Sequence, residues 1–89
     1  MQTYMIIEAY KPGKTEEIYQ RLAERGRMMP PAVVYVNSWI EENLSRCYQV
    51  MISPSPHLLD EWIDNWKDLV DFEVIKVLSS QEVSDRMTQ

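Results

Sequence analysis

The chain has one cysteine and one histidine in 89 residues. Cys47 has no second cysteine for an intramolecular disulfide. With His57 alone beside it, the usual set of about four Cys and His ligands of a structural zinc site cannot be assembled. No metal and no cofactor is therefore expected. Glycine is nearly as scarce, at two positions. Gly26-Arg-Met-Met-Pro30, with one glycine and no helix start behind it, cannot cradle a nucleotide phosphate. A Ser-His-Asp triad has no support, because the one histidine sits among prolines without a strand-turn-helix nucleophile elbow. Apolar runs fall short of the roughly 18 residues that a membrane span needs, and the chain enters a strand-like segment without a charged leader. The expectation is a cytoplasmic protein with no membrane partner. Positive charge is thin, nine Lys and Arg against fourteen Asp and Glu for a net −5. The densest basic spot, Arg25-Gly-Arg27, is too small to neutralise a phosphate backbone, so no nucleic-acid partner is expected.

What is present describes an ordinary globular protein, with 45% hydrophobic and 26% charged residues. The length suits one domain. A chain of this size buries only roughly 60% of the surface its unfolded form exposes, so self-association would add stability. Thr3 to Ala9 is rich in β-branched and aromatic residues and ends at the turn Lys11-Pro-Gly13, which predicts a first strand. Ile18, Tyr19, Leu22 and Ala23 then recur at helical spacing. Glu16 and Glu17 lie in the first turn, where the dipole favours anions, and Gly26 is a natural C′ residue after Arg25. Met28-Met-Pro-Pro31 is a connector. Ala32 to Ile40 and Arg46 to Ile52 form a hairpin across a short polar loop. Ser53-Pro-Ser-Pro56 opens a second helix with Ser as N-cap and Pro at its first position, carrying Leu58, Leu59, Trp62, Ile63 and Trp66 on its apolar stripe. Asp71 to Leu78 reads as the last strand. The residues after 80, to 89, read as a polar C-terminal tail with one helical turn.

The resulting order β-α-β-β-α-β is the ferredoxin-like α+β pattern, here one domain over residues 1–80, in which two helices cover one face of a four-stranded antiparallel sheet. Sorting the strand residues by alternation gives two sets. Met5, Ile7, Ala9, Val34, Val36, Tyr48, Val50, Ile52, Phe72 and Val74 are nearly pure hydrocarbon and are expected to face the helices. Tyr4, Ile6, Glu8, Tyr35, Asn37, Trp39, Cys47, Gln49, Met51, Glu73, Ile75 and Val77 are expected on the opposite, bare face. A bare face of that composition marks an interface or a binding groove.

Gly26-Arg-Met-Met-Pro30, the run from Ser38 to Met51 and the run from Leu58 to Glu73 resemble a family of small bacterial proteins carrying a domain of unknown function. The likeness spans roughly Thr3 to Ser80. That family is similar to the dimeric α+β barrel superfamily, which includes antibiotic-biosynthesis monooxygenases, muconolactone-type isomerases and haem-degrading enzymes. The resemblance implies a homodimer of face-to-face sheets. None of the relatives' catalytic residues can be carried over, since their motifs have no match here.

The candidate site residues follow from the mixed set. Glu8 and Glu73, if enclosed together, would repel and desolvate each other and yield a general acid or base. The plainer alternative is pairing with Arg46 or Arg27, or exposure at a strand end. Tyr35, Asn37, Trp39, Cys47 and Gln49 are the candidate ligand-binding residues, through amide hydrogen bonds and aromatic stacking. Asn37, Gln49 and Trp39 would serve equally as a polar network that specifies a dimer. Cys47 beside Arg46 is either an activated thiolate or a small buried hydrophobe. His57 is expected at the surface of the second helix, and Trp62 and Trp66 as core anchors. Two functions remain open: a homodimeric module that binds a small hydrophobic or aromatic metabolite, and a cofactor-independent monooxygenase- or isomerase-like enzyme with a carboxylate base. A protein-protein adaptor would instead keep the mixed face open.

Overall fold

The structure, a computed structural model, describes residues 1–88. Strand β1 runs Gln2–Tyr10, helix α1 Thr15–Arg25, β2 Val34–Ile40, β3 Arg46–Ser53, α2 Pro56–Asp64, β4 Val70–Val77 and α3 Ser80–Met87. The strands form one antiparallel sheet in the order β2-β3-β1-β4. This is the ferredoxin-like arrangement anticipated from the element order, with β1 and β3 in the centre.

Local chemistry accounts for most boundaries. Gly26 ends α1 with φ +66°, a conformation that costs glycine little, and its N–H closes on the Leu22 carbonyl at 2.8 Å. Pro56 opens α2 with Ser55 at the N-cap position, but the Ser55 side chain makes no capping bond. The buried Ser53 hydroxyl organises that corner instead, donating to the Ser55 carbonyl at 2.7 Å. Trp66 lies beyond the end of α2. A series of turns extends the helical course there, with Lys67 N–H on the Ile63 carbonyl at 2.9 Å and Val70 N–H on the Trp66 carbonyl at 3.0 Å. The segment read as a polar tail forms the exposed helix α3. Its capping box pairs the Ser79 hydroxyl with the Glu82 N–H at 3.1 Å, and Glu82 returns a bond to the Ser79 N–H.

The burial pattern reverses the expected faces of β1 and β3, whereas in β4 Phe72 and Val74 stand opposite Glu8 and Ile6 on the helix side, as expected. Tyr4, Ile6, Cys47, Gln49 and Met51 are buried, and Tyr4, Ile6 and Met51 join Ile18, Leu59, Trp62, Trp66, Leu69 and Val70 in one core cluster. The mixed set of β1 and β3 therefore lies under the helices. Met5, Ile7, Val50 and Ile52, the hydrocarbon set, look away from them. Register corrects the edge strands too. Glu8 stands opposite Phe72, and Ile7 opposite Glu73, so Glu8 and Glu73 lie on opposite faces rather than sharing one. In β2 an irregularity between Tyr35 and Asn37 shifts the alternation. Tyr35 stands opposite Met51 on the helix side, whereas Asn37 and Trp39 stand opposite Val50 and Tyr48 on the bare side.

The physical reason for the reversal is that hydrophobicity shows that a face is to be covered, without showing by what. The face away from the helices is left uncovered by this chain: Val34 and Ile75 stay exposed there, and Trp39 is 55% exposed. Among the described residues no helix is long and apolar enough to cross a membrane.

Candidate functional site

On the helix side of the sheet the packing leaves a cavity of about 70 Å³. Glu8 and Tyr10 of β1, Cys47 and Gln49 of β3 and Ser38 of β2 border it from the sheet. Tyr19 and Leu22 come from α1, Trp62 from α2, and Arg27 from the connector after α1. Glu8 is 9% exposed. It sits there because alternation along β1 sends residues 4, 6, 8 and 10 toward the helices, and the β1–β3 register sets Cys47 directly opposite it.

Burial dominates the chemistry of this carboxyl. Desolvation raises its pKa from the ordinary 4.5 to about 7, against the smaller opposing effects of a hydrogen bond from Cys47 and the charge of Arg27. Cys47 responds in the opposite sense to an activated thiol. Burial, helped by the adjacent Glu8 charge, pushes its pKa up to about 12, which favours the neutral thiol over a thiolate. Tyr10 is likewise driven well above its usual range, by burial and then by its contact with Tyr19. The two tyrosine rings meet edge to face, with centroids 6.4 Å apart.

Arg27 is fixed in an unusual way. The indole Nε1–H groups of Trp62 and Trp66 both donate to its backbone carbonyl, each at 3.0 Å. Asn65 donates to the Met28 carbonyl at 3.2 Å. Met28 adopts φ +58°, which turns the chain sharply after Arg27. The guanidinium carbon of Arg27 lies 3.9 Å from the centroid of the Tyr35 ring, and the Tyr35 hydroxyl is 2.6 Å from the Ser38 hydroxyl. On the outer side of this corner Arg21 holds Asp68 with two bonds of 2.8 and 2.7 Å and donates to the Asn65 carbonyl at 2.9 Å. That pair draws the Asp68 pKa down to about 2. The turns after α2 are thereby tied to α1, which keeps both indoles aimed at Arg27.

The residues expected to form one site are thus divided. Glu8, Cys47 and Gln49 border the cavity, and Tyr35 supports its rim through Arg27 and Ser38. Asn37, Trp39 and Glu73 are on the other side of the sheet, with Glu73 beside Arg46 and Asp71 in a shallow depression. His57 is exposed in the first turn of α2, outside the cavity. Tyr10 and Tyr19 escape sequence reasoning, and Arg27 appears there only as a possible charge partner of the carboxylates. Arg27 has a further signal in the sequence, since it lies in the Gly26–Pro30 family motif, but nothing there marks it as bordering a cavity. Trp62 and Trp66 are core anchors as expected, and they are also the clamp on Arg27. No three His, Cys, Asp or Glu side chains gather for a metal ion among the described residues.

Comparison with family models matches residues 2–89 to the DUF3303 domain of unknown function. The chain belongs to the DUF3303 family. This agrees with the resemblance seen in its tryptophan and Arg-Cys-Tyr-Gln motifs. No curated protein matches it significantly. Among solved structures it is similar to a protein from Chloroflexus aurantiacus J-10-fl, titled as an antibiotic biosynthesis monooxygenase, at 15% identity and a TM-score of 0.45. The match covers 88% of this chain and 95% of that one.

Proposed function

We propose that this DUF3303 chain is a small-molecule-binding protein whose site is the cavity between the sheet and the helices, with Glu8 as the group that exchanges protons with what is bound there. One observation carries the reading: a carboxyl buried among aromatic side chains, with its pKa raised to about 7, borders an open space instead of a packed core. A cavity of about 70 Å³ accepts a body of few heavy atoms, since one water occupies about 30 Å³ of liquid. The occupant is therefore small, or enters only in part. The proposed site is on the helix side of the sheet, whereas the sequence pattern favours the other face.

The same carboxyl supports a second reading, a cofactor-independent enzyme. A general acid or base works best with a pKa near the working pH, and Glu8 meets that condition without an added group. Tyr10 and Tyr19 would then orient the substrate, and Cys47 would stay a neutral hydrogen-bond donor.

The bare face belongs to the proposal as a homodimer interface. Val34 and Trp39 of β2 and Ile75 of β4 expose apolar surface on this face, of the kind that soluble proteins cover. A cytoplasmic location completes the reading, supported by an unpaired cysteine.

Native mass spectrometry of the protein purified from its own host tests both parts. The expected result is a dimer with a reproducible small extra mass, lost on unfolding. A monomer would overturn the interface. A dimer without extra mass that also binds no member of a small-metabolite panel would overturn the binding reading.

A further inference from the structure

The cavity has a polarity that its size and burial do not by themselves explain. Buried Glu8 and exposed Arg27 both line it. No carboxylate among the described residues comes within ion-pair distance of Arg27; Arg25, Arg46, Lys76 and Arg86 share that condition, but of these Arg27 is the one that borders the cavity. The guanidinium rests instead on the Tyr35 ring, and two indole N–H groups fix its backbone. A planar fork of five donors, held against an aromatic ring with no carboxylate at ion-pair distance, is suited to recognising a carboxylate.

We propose that the cavity takes a small organic acid as its carboxylate, held by the Arg27 guanidinium and by a hydrogen bond from the Glu8 carboxyl. The inference deepens the proposed binding function and rests on it. Two carboxylates cannot share a confined site without strong repulsion, so the ligand is accommodated when Glu8 keeps its proton. The groups facing Glu8 permit that state. Tyr10 on β1 and Cys47 on β3 stay neutral, and Tyr19 of α1 lines the cavity against Tyr10. Phe72 of β4, Ser38 and Ile40 of β2, and Trp62 and Trp66 do not titrate. Arg27 is the one cation acting on it. Its attraction only partly offsets desolvation, and once a ligand anion engages Arg27 that attraction weakens, so binding is accompanied by proton uptake.

Propionate, with acetamide as an uncharged probe of similar size, tests the proposal by NMR titration of the intact protein. Propionate should bind about tenfold more tightly at pH 6 than at pH 8, the ratio of protonated Glu8 for a pKa of about 7. Acetamide should show no such dependence. Arg27→Gln, which leaves the backbone carbonyl and its indole bonds in place, should weaken propionate at least tenfold and leave acetamide unchanged. Glu8→Gln should bind propionate with the pH dependence abolished. If acetamide binds and propionate does not, or if Arg27→Gln binds propionate as the parent does, selection for an acid is overturned while the cavity remains a binding site. If neither probe binds at millimolar concentration, both the acid selection and the binding reading fall.

Discussion

Replacing Glu8 with glutamine should stabilise the protein at neutral and alkaline pH and do little in acid. The folded pKa is raised above the unfolded one, so between pH 4.5 and about 7 the native state holds a proton that the unfolded chain has lost. In that window stability falls as pH rises. Below it both states are protonated and nothing is lost; above it both are ionised and the full cost of a buried charge is present. A rise from 4.5 to about 7, at about 1.4 kcal/mol for each pH unit, gives roughly 3 kcal/mol. Glu8 is 9% exposed, so solvent screening takes little from this figure. Glutamine has the same shape and cannot ionise. The variant should therefore exceed the parent by up to about 3 kcal/mol at pH 8 and by less than about 1 kcal/mol at pH 5. Urea unfolding followed by tryptophan fluorescence, at fixed protein concentration and at several pH values between 5 and 8, measures the difference directly. An equal difference between the two proteins at pH 5 and pH 8 would refute the reasoning.

Three further outcomes follow from the packing. Trp62→Phe and Trp66→Phe each leave the Arg27 carbonyl one indole donor, whereas the double variant leaves it none. The double loss should exceed the sum of the single losses by about 1 kcal/mol in a double-mutant cycle, and strict additivity would contradict a shared clamp. Val50→Lys adds a charge to the centre of the uncovered face without entering the helix-side core. It should convert a sedimenting dimer to a folded monomer, and an unchanged sedimentation coefficient would exclude that face as the interface. Cys47, buried and with its pKa pushed up to about 12, should react with a disulfide reagent at pH 8 only as fast as the protein opens. Rapid stoichiometric labelling of native protein would contradict its placement.

The fold was legible because its signals are local. Proline and glycine at 12–13, 26, 30–31 and 54–56 punctuate the chain, and the Leu58 to Trp66 stripe has an unmistakable helical period. The hairpin and the final strand follow from β-branched runs between turns. The site was legible only in part. Alternation groups Glu8 with Tyr4 and Ile6, and Cys47 with Gln49 and Met51, as the structure does. Which of the two groups meets the helices is decided by packing that no strand encodes alone. A hydrocarbon face is the natural choice for the core, yet in β1 and β3 the helices cover the mixed set, where Glu8 and Gln49 border a cavity. The irregularity between Tyr35 and Asn37 is also unreadable from composition, and it separates Asn37 and Trp39 from Tyr35. Arg27 was hidden for a different reason. Its role depends on two indoles more than thirty residues away that converge on its backbone carbonyl.

The three tryptophans offer a direct test of where ligands bind, because the sheet separates them. Trp62 and Trp66 border the helix-side cavity, and Trp39 stands on the uncovered face. Each indole N–H gives its own signal in a proton–nitrogen NMR spectrum. Titrating a panel of small organic acids and amides should move the Trp62 and Trp66 indole signals while Trp39 stays still. Movement of the Trp39 signal alone would place the site on the opposite face and contradict the account.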